Sequence, residues 1–320
     1  MVMKQEKKLE YVNYVLLNKN ADYQGPSSLF KCRNFDEYTF DMLENNYLYL
    51  CVAERLDDET ECLTTLDIDN LYDVEKDNLK AMCVFKIMDN VKPYTSEENY
   101  ERINGIIGRI LNGDGTIEPR HLLAFQSEIK ELAPGINVDH LINYLLEIPK
   151  RLDNPEINEK MKLLISIAKE ARGTMKICAL CEEPNNKDVW KRYGGDGSGY
   201  CVEYDMTGFN PANMVYPVLY ADERNTDIVL SLIASFIGQT IIGMTMGQIK
   251  PDVSQFLKLF ITKNKQWECQ NEWRIISDEK DRIGSPKINR IIVGKKATEE
   301  NRLKMAEFCK RRNIPLEDQD

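Results

Sequence analysis

Short strand signals at both ends of the chain, with a long helical stretch between them, predict an α+β fold. Its mixed sheet is built from strands at both ends, around an inserted helical subdomain. The expected divisions are 1–94 for the first part of the α+β domain, 95–173 for the helical insertion and 174–320 for the second part. A chain of 320 residues can bury a large core, and 42% hydrophobic with 29% charged residues is a globular rather than a disordered composition.

The elements follow in order. Residues 29–33 and 47–52 read as short strands around a helix near 35–45, and 82–87 as a further strand after the acidic stretch 57–77. From Thr95 the pattern turns helical. Thr95 and Glu98 have the spacing of a capping box, and Pro119, Pro134 with Gly135, and the pair Pro149 and Pro155 divide the stretch to Arg172 into about four amphipathic helices. Strand signals return at 175–180, 200–204, 214–220, 272–276 and 288–293, with two helices between the third and fourth and a helical segment at 298–313.

One of those helices, 228–249, carries no charge and is long enough to span a bilayer. Its polar residues Ser231, Ser235, Gln239, Thr240, Thr245 and Gln248, and flanks without a positive bias, make it a buried core helix rather than a membrane span.

Composition excludes several classes. A net charge of −10 argues against a mainly electrostatic nucleic-acid binder. The opening MVMKQEKKLEYV has no continuous apolar core, so no signal peptide is read and a cytoplasmic protein is expected. Nine cysteines are then expected as free thiols, and Cys178 and Cys181, a CxxC inside the apolar run MKICALC, as two buried hydrophobes. No second CxxC or nearby histidine completes a zinc set, so no metal is expected. With only two histidines, His121 and His140, a histidine-dependent nucleophile has little material.

Some motifs read as connections. In 112–125, NGDGTIEPRHLLAF, a calcium-loop alignment puts Ile110 first and His121 last where carboxylates are needed, so this is a turn between helices. The run GGDGSG at 194–199 follows a helix and precedes a strand, the reverse of a phosphate cradle. It is read as a tight helix-to-strand connection.

The strongest site signal is TKNKQWECQNEWRII, residues 262–276. Glu272 and Arg274 share one face of a strand and Trp273 and Ile275 the other, and a strand that buries Trp273 while presenting a carboxylate and a guanidinium is costly unless those charges are paired or used. Lys263 and Trp267 lie in the same stretch. Lys31 and Arg33 share a face of an early strand, which marks either a solvated edge, the commoner arrangement, or an anion site. Asp57, Asp58, Glu59 and Glu61 form an acidic cluster, either a solvated loop or a cation site, and Trp190 and Tyr193 share a helix face as core anchors or cleft lining.

Taken in order, these segments resemble the bacterial family catalogued as domain of unknown function 2971. The carrying motifs are LFKCR, DDETE with Asp58 and Glu61 in the kept positions, ALCE, VWKRY, GYCVEYD, PVLY, KNKQWECQNEWRII and IIVGKKA. Cys181 stands where the family has serine, Asp57 and Glu59 replace asparagine and proline, and Gln270 replaces a glutamate. The layout is similar to the ADP-ribosyltransferase fold. That likeness implies an NAD- or nucleotide-handling enzyme in which Glu272 is the catalytic carboxylate, Arg33 or Lys31 holds phosphate, and Trp190 or Tyr193 stacks on a ring. The alternative is a non-catalytic sensor or partner-binding module in bacterial stress or phage defence. There Glu272 pairs with Arg33 or Arg274 in the core and the helical insertion meets a protein partner. A further alternative, a metal-dependent nuclease or hydrolase, would gather Asp58, Glu61, Glu203 and Glu272.

Overall fold

A computed structural model describes residues 3–17, 25–58, 61–62, 71–89, 91–110, 119–209, 215–222, 225–246 and 253–319. In chain order the elements are α1 (Gln5–Leu17), β1 (Ser28–Arg33), α2 (Thr39–Glu44), β2 (Tyr47–Tyr49), β3 (Cys51–Val52), α3 (Leu71–Met88), α4 (Glu97–Ile110), α5 (Pro119–Leu132), α6 (Val138–Leu152) and α7 (Pro155–Thr174). After them come β4 (Lys176–Cys181), α8 (Lys187–Tyr193), β5 (Tyr200–Asp205), β6 (Val215–Pro217), β7 (Leu219–Ala221), α9 (Asn225–Met246), α10 (Val253–Ile261), β8 (Thr262–Asn264), β9 (Glu272–Ser277), β10 (Arg282–Gly284), β11 (Lys287–Val293), α11 (Glu299–Arg312) and β12 (Leu316–Asp318).

Contacts divide the chain into two compact units: Met1–Leu63 with Ala171–Glu223 and Phe260–Asp320, and Thr64–Glu170 with Arg224–Leu259. The first holds the main sheet, in the order β12-β11-β5-β1-β4-β9-β6, with β3 also on β4. β11 and β12 run parallel and the other pairs antiparallel, so the sheet is mixed and drawn from both ends of the chain. One face buries Leu29, Leu180, Tyr200, Val202, Tyr204, Trp273 and Ile275 against Leu43 and against Met305 and Phe308 of α11. This is the alternation that strand pleating imposes on β1, β5 and β9.

The second unit is helical. It extends beyond the expected 95–173 insertion, because α3 and α9 belong to it and pack on each other and on α6. The strand expected at 82–87 is the last part of α3. Leu79, Cys83, Val84, Ile87 and Met88 are buried at helical spacing, whereas the short run MCVFKI by itself carries no period that separates strand from helix. The cap lies one residue later than the expected capping box and is a single bond: the Ser96 hydroxyl accepts the Asn99 N–H at 3.2 Å, and Thr95 donates to the Leu132 carbonyl. Pro149 does not break the chain but sits in the last turn of α6, and the break follows at Asp153–Asn154. Pro119 and Pro155 do open helices, where a missing N–H costs nothing.

None of residues 228–241 in α9 is exposed, and no helix among the described residues is long and apolar enough to cross a membrane. The turn expected at 112–118, Glu59 of the acidic cluster, Met214 and residues 247–249 lie outside the described residues.

Candidate functional site

The site forms where the sheet opens. β1 and β5 pair along all of Ser28–Arg33, but β1 meets β4 at the Phe30–Cys181 pair, while β3 takes the other end of β4 through Cys51–Ile177 and Val52–Lys176. β1 is therefore an inner strand and not the solvated edge that its two cations suggested. Where β1 and β4 part, the Lys31 ammonium takes the place of a ladder bond and donates to the Ala179 carbonyl at 2.6 Å. A cleft of about 370 Å³ lies along this opening, and Lys31, Arg33, Cys51, Arg55, Asp57, Glu61, Tyr193, Lys263, Gln270 and Glu272 are among its lining.

Glu61, Lys263 and Glu272 line its inner end, and with the fully buried Arg274 they form a group of two carboxylates and two cations. Every residue of β9 is buried, Arg274 at 0% exposure and Glu272 at 4%. Glu272 Oε1 lies 2.7 Å from Arg274 Nε and its Oε2 lies 2.8 Å from Lys263 Nζ. The Arg274 guanidinium also binds Glu61 and donates to the Phe260 carbonyl, and Lys263 lies 3.7 Å from Glu61 Oε2. The charges balance, which is what burial of such groups demands. Burial lowers Arg274 to about 9, still a cation at neutral pH. Lys263 donates to Gln270 Oε1 at 3.1 Å, Gln270 donates to Asp188, and the Glu272 N–H is received by the Tyr220 hydroxyl at 2.8 Å.

Strand register separates the candidates by face. Phe30, Cys181 and Glu272 stand opposite one another across β1, β4 and β9, so Glu272 and Arg274 share a face with Phe30 and Cys32. Lys31 and Arg33 start from the other face. The Arg33 guanidinium goes to Met42 Sδ and to Asp36 at 3.5 Å, so the expected alternatives for the partner of Glu272 resolve to Arg274, joined by Lys263. Lys31 and Arg33 reach the same cleft as Glu272 only because β1 and β4 diverge.

Among the described residues neither Lys31 nor Arg55 has a carboxylate partner, and both lie within electrostatic reach of the Cys51 thiol on the cleft wall. Burial, and secondarily a hydrogen bond to Asp57, raises the Tyr193 hydroxyl and keeps it protonated. Its helix neighbour Trp190 is instead a core anchor, packed on Phe30 and Cys32 and donating its indole N–H to the Pro184 carbonyl. Trp267 is not among the cleft lining. Its indole donates to Asp58 at 2.9 Å and its ring carries Arg192 at 4.4 Å and Lys263 at 4.9 Å. The four carboxylates of the metal-dependent alternative do not gather, since Glu203 is bound to Arg290 and Asp58 to Trp267.

Arg55, Cys51, Asp188 and Tyr220 are site residues that sequence reading did not select. Tyr220 had a signal, as the last residue of PVLY. Arg55 and Cys51 had none, because pairing between β3 and β4 places them.

A family model described as "Protein of unknown function (DUF2971)" matches residues 189–275. This segment contains Tyr193, Lys263, Gln270, Glu272 and Arg274, while Lys31, Arg55 and Glu61 lie upstream of it. No curated protein and no solved structure matches the chain.

Proposed function

We propose, on the premise that this chain belongs to that family through residues 189–275, that the cleft between β1 and β4 binds a phosphorylated small molecule of the nucleotide class. The observation that carries this reading is the pair of cations without carboxylate partners, Lys31 and Arg55, on the wall of a cleft whose inner charges are already balanced. A phosphate would supply the missing counter-charge through charge-assisted hydrogen bonds. The volume is at the lower end of small-molecule sites, which suits a mononucleotide better than a dinucleotide. Tyr49 and Tyr193 offer aromatic surface, and Gln270 and Glu61 offer polar groups for hydroxyls. In this reading Glu272 is a structural anion, and the protein acts as a binding module or sensor.

A second reading is favoured by one observation: Glu272 itself lines the cleft. There it would stabilise the positive charge that develops on a ribose as an NAD-type glycosidic bond breaks. Two measurements separate the readings. Mass spectrometry of small molecules released on denaturing the purified protein identifies a retained ligand, with a phosphorylated mononucleotide expected. An NAD-consumption assay on the native protein and on Glu272→Gln tests catalysis. NAD turnover by the native protein, abolished in Glu272→Gln under conditions where circular dichroism shows the variant folded, would replace the binding reading with the enzymatic one.

A further inference from the structure

Three thiols converge on the sheet face that carries Glu272. Cys32 of β1 and Cys201 of β5 are direct partners in the antiparallel register, and their Sγ atoms lie 2.7 Å apart. Cys181 of β4 is within hydrogen-bonding reach of Cys32 and also faces the Phe30 carbonyl. Phe30, Val189, Trp190 and Ile292 enclose the group. Cys32 and Cys181 line the cleft, whereas Cys201 is fully buried behind them.

We propose that Cys32 and Cys201 form an oxidation site, converted to a cross-strand disulfide by a hydroperoxide that enters through the cleft. The geometry sets the order of events. The Cys32 sulfur attacks one peroxide oxygen, the O–O bond breaks and the thiol proton passes to the departing oxygen, leaving a sulfenic acid and an alcohol or water. The Cys201 sulfur then attacks the Cys32 sulfur, the S–O bond breaks, and water leaves with the Cys201 proton. Two thiols lose two electrons and one peroxide gains them.

A sulfur–sulfur bond is about 2.05 Å long, so closing the pair draws Cys32 toward β5. That movement is away from Cys181, on the side of β1 that borders the cleft, so oxidation shifts the Cys32 side chain on the cleft wall. Burial holds the Cys201 thiol above its ordinary pKa, the hydrogen bond with Cys32 and then burial raise Cys181, and Cys32 is raised too, so the group is protonated and reacts slowly. The inference stands on thiol geometry and does not depend on which ligand the cleft takes.

The test exposes the full chain to hydrogen peroxide, then unfolds it in an alkylating reagent and maps the peptides. The expected result is loss of two of the nine alkylatable thiols and a peptide pair joined through Cys32 and Cys201. In Cys201→Ala the joined peptide should vanish, and with Cys181→Ala added dimedone should label Cys32. Full alkylation of all nine thiols after peroxide, or a disulfide formed only through other cysteines, would overturn the proposal. The native-chain map decides even if the alanine variant fails to fold.

Discussion

Glu272 and Arg274 stand two residues apart on β9, with Oε1 and Nε 2.7 Å apart and both side chains withdrawn from solvent. The pair joins Lys263 and Glu61 in a closed group of four charges. Removing one anion leaves two cations buried against a single carboxylate. Glu272→Gln is therefore expected to cost about 3–5 kcal/mol of stability, the usual penalty for breaking a buried pair from one side. Denaturant titration measures it. A loss below about 1 kcal/mol would mean the group is solvated or reorganises freely.

Trp267 links the group to Asp58 and to two cations. Trp267→Phe keeps an aromatic face for Arg192 and Lys263 but removes the donor to Asp58, so a loss of about 1 kcal/mol is expected. Trp267→Leu also removes the cation–π contacts and should cost on the order of 1–2 kcal/mol more. The difference between the two variants in urea midpoints checks the ranking.

Alkali should act through buried tyrosines. Burial pushes Tyr200 up from the ordinary 10.0 to about 12, and Tyr193 and Tyr220 are raised by the same cause. The folded state holds these protons where the unfolded chain releases them. Their contribution is complete below about pH 10 and falls as pH rises toward about 12. Phenolate absorbance followed beside circular dichroism should show these residues ionising only as the fold is lost. Full ionisation of every tyrosine near pH 10 with intact ellipticity would contradict the burial.

Much of this site was legible, and the reasons are local. The i,i+2 alternation of Glu272-Trp273-Arg274-Ile275 gave β9 its faces, and LFKCR gave β1, because strand pleating depends only on neighbours in sequence. Chain reversal and pairing decided the rest. The four-charge group needs Glu61 and Lys263 brought to one strand face, and the cleft exists because β3 rather than β1 covers the far end of β4. Nothing in CVAERL announces that Arg55 will stand on a cleft wall. The strand misread at 82–87 fails for a related reason: the partners that bury MCVFKI are α6 and α9, remote in sequence.

The most direct test of the proposed function is calorimetric titration of ADP into the native protein and into Arg55→Met, with Lys31→Met as a second variant. Arg55 is exposed, so its replacement should leave the fold intact. The native protein is expected to bind with an affinity that weakens as salt is raised, and each variant with an affinity lower by on the order of tenfold. Absence of binding by the native protein, or equal affinity in all three proteins, would contradict the proposed function.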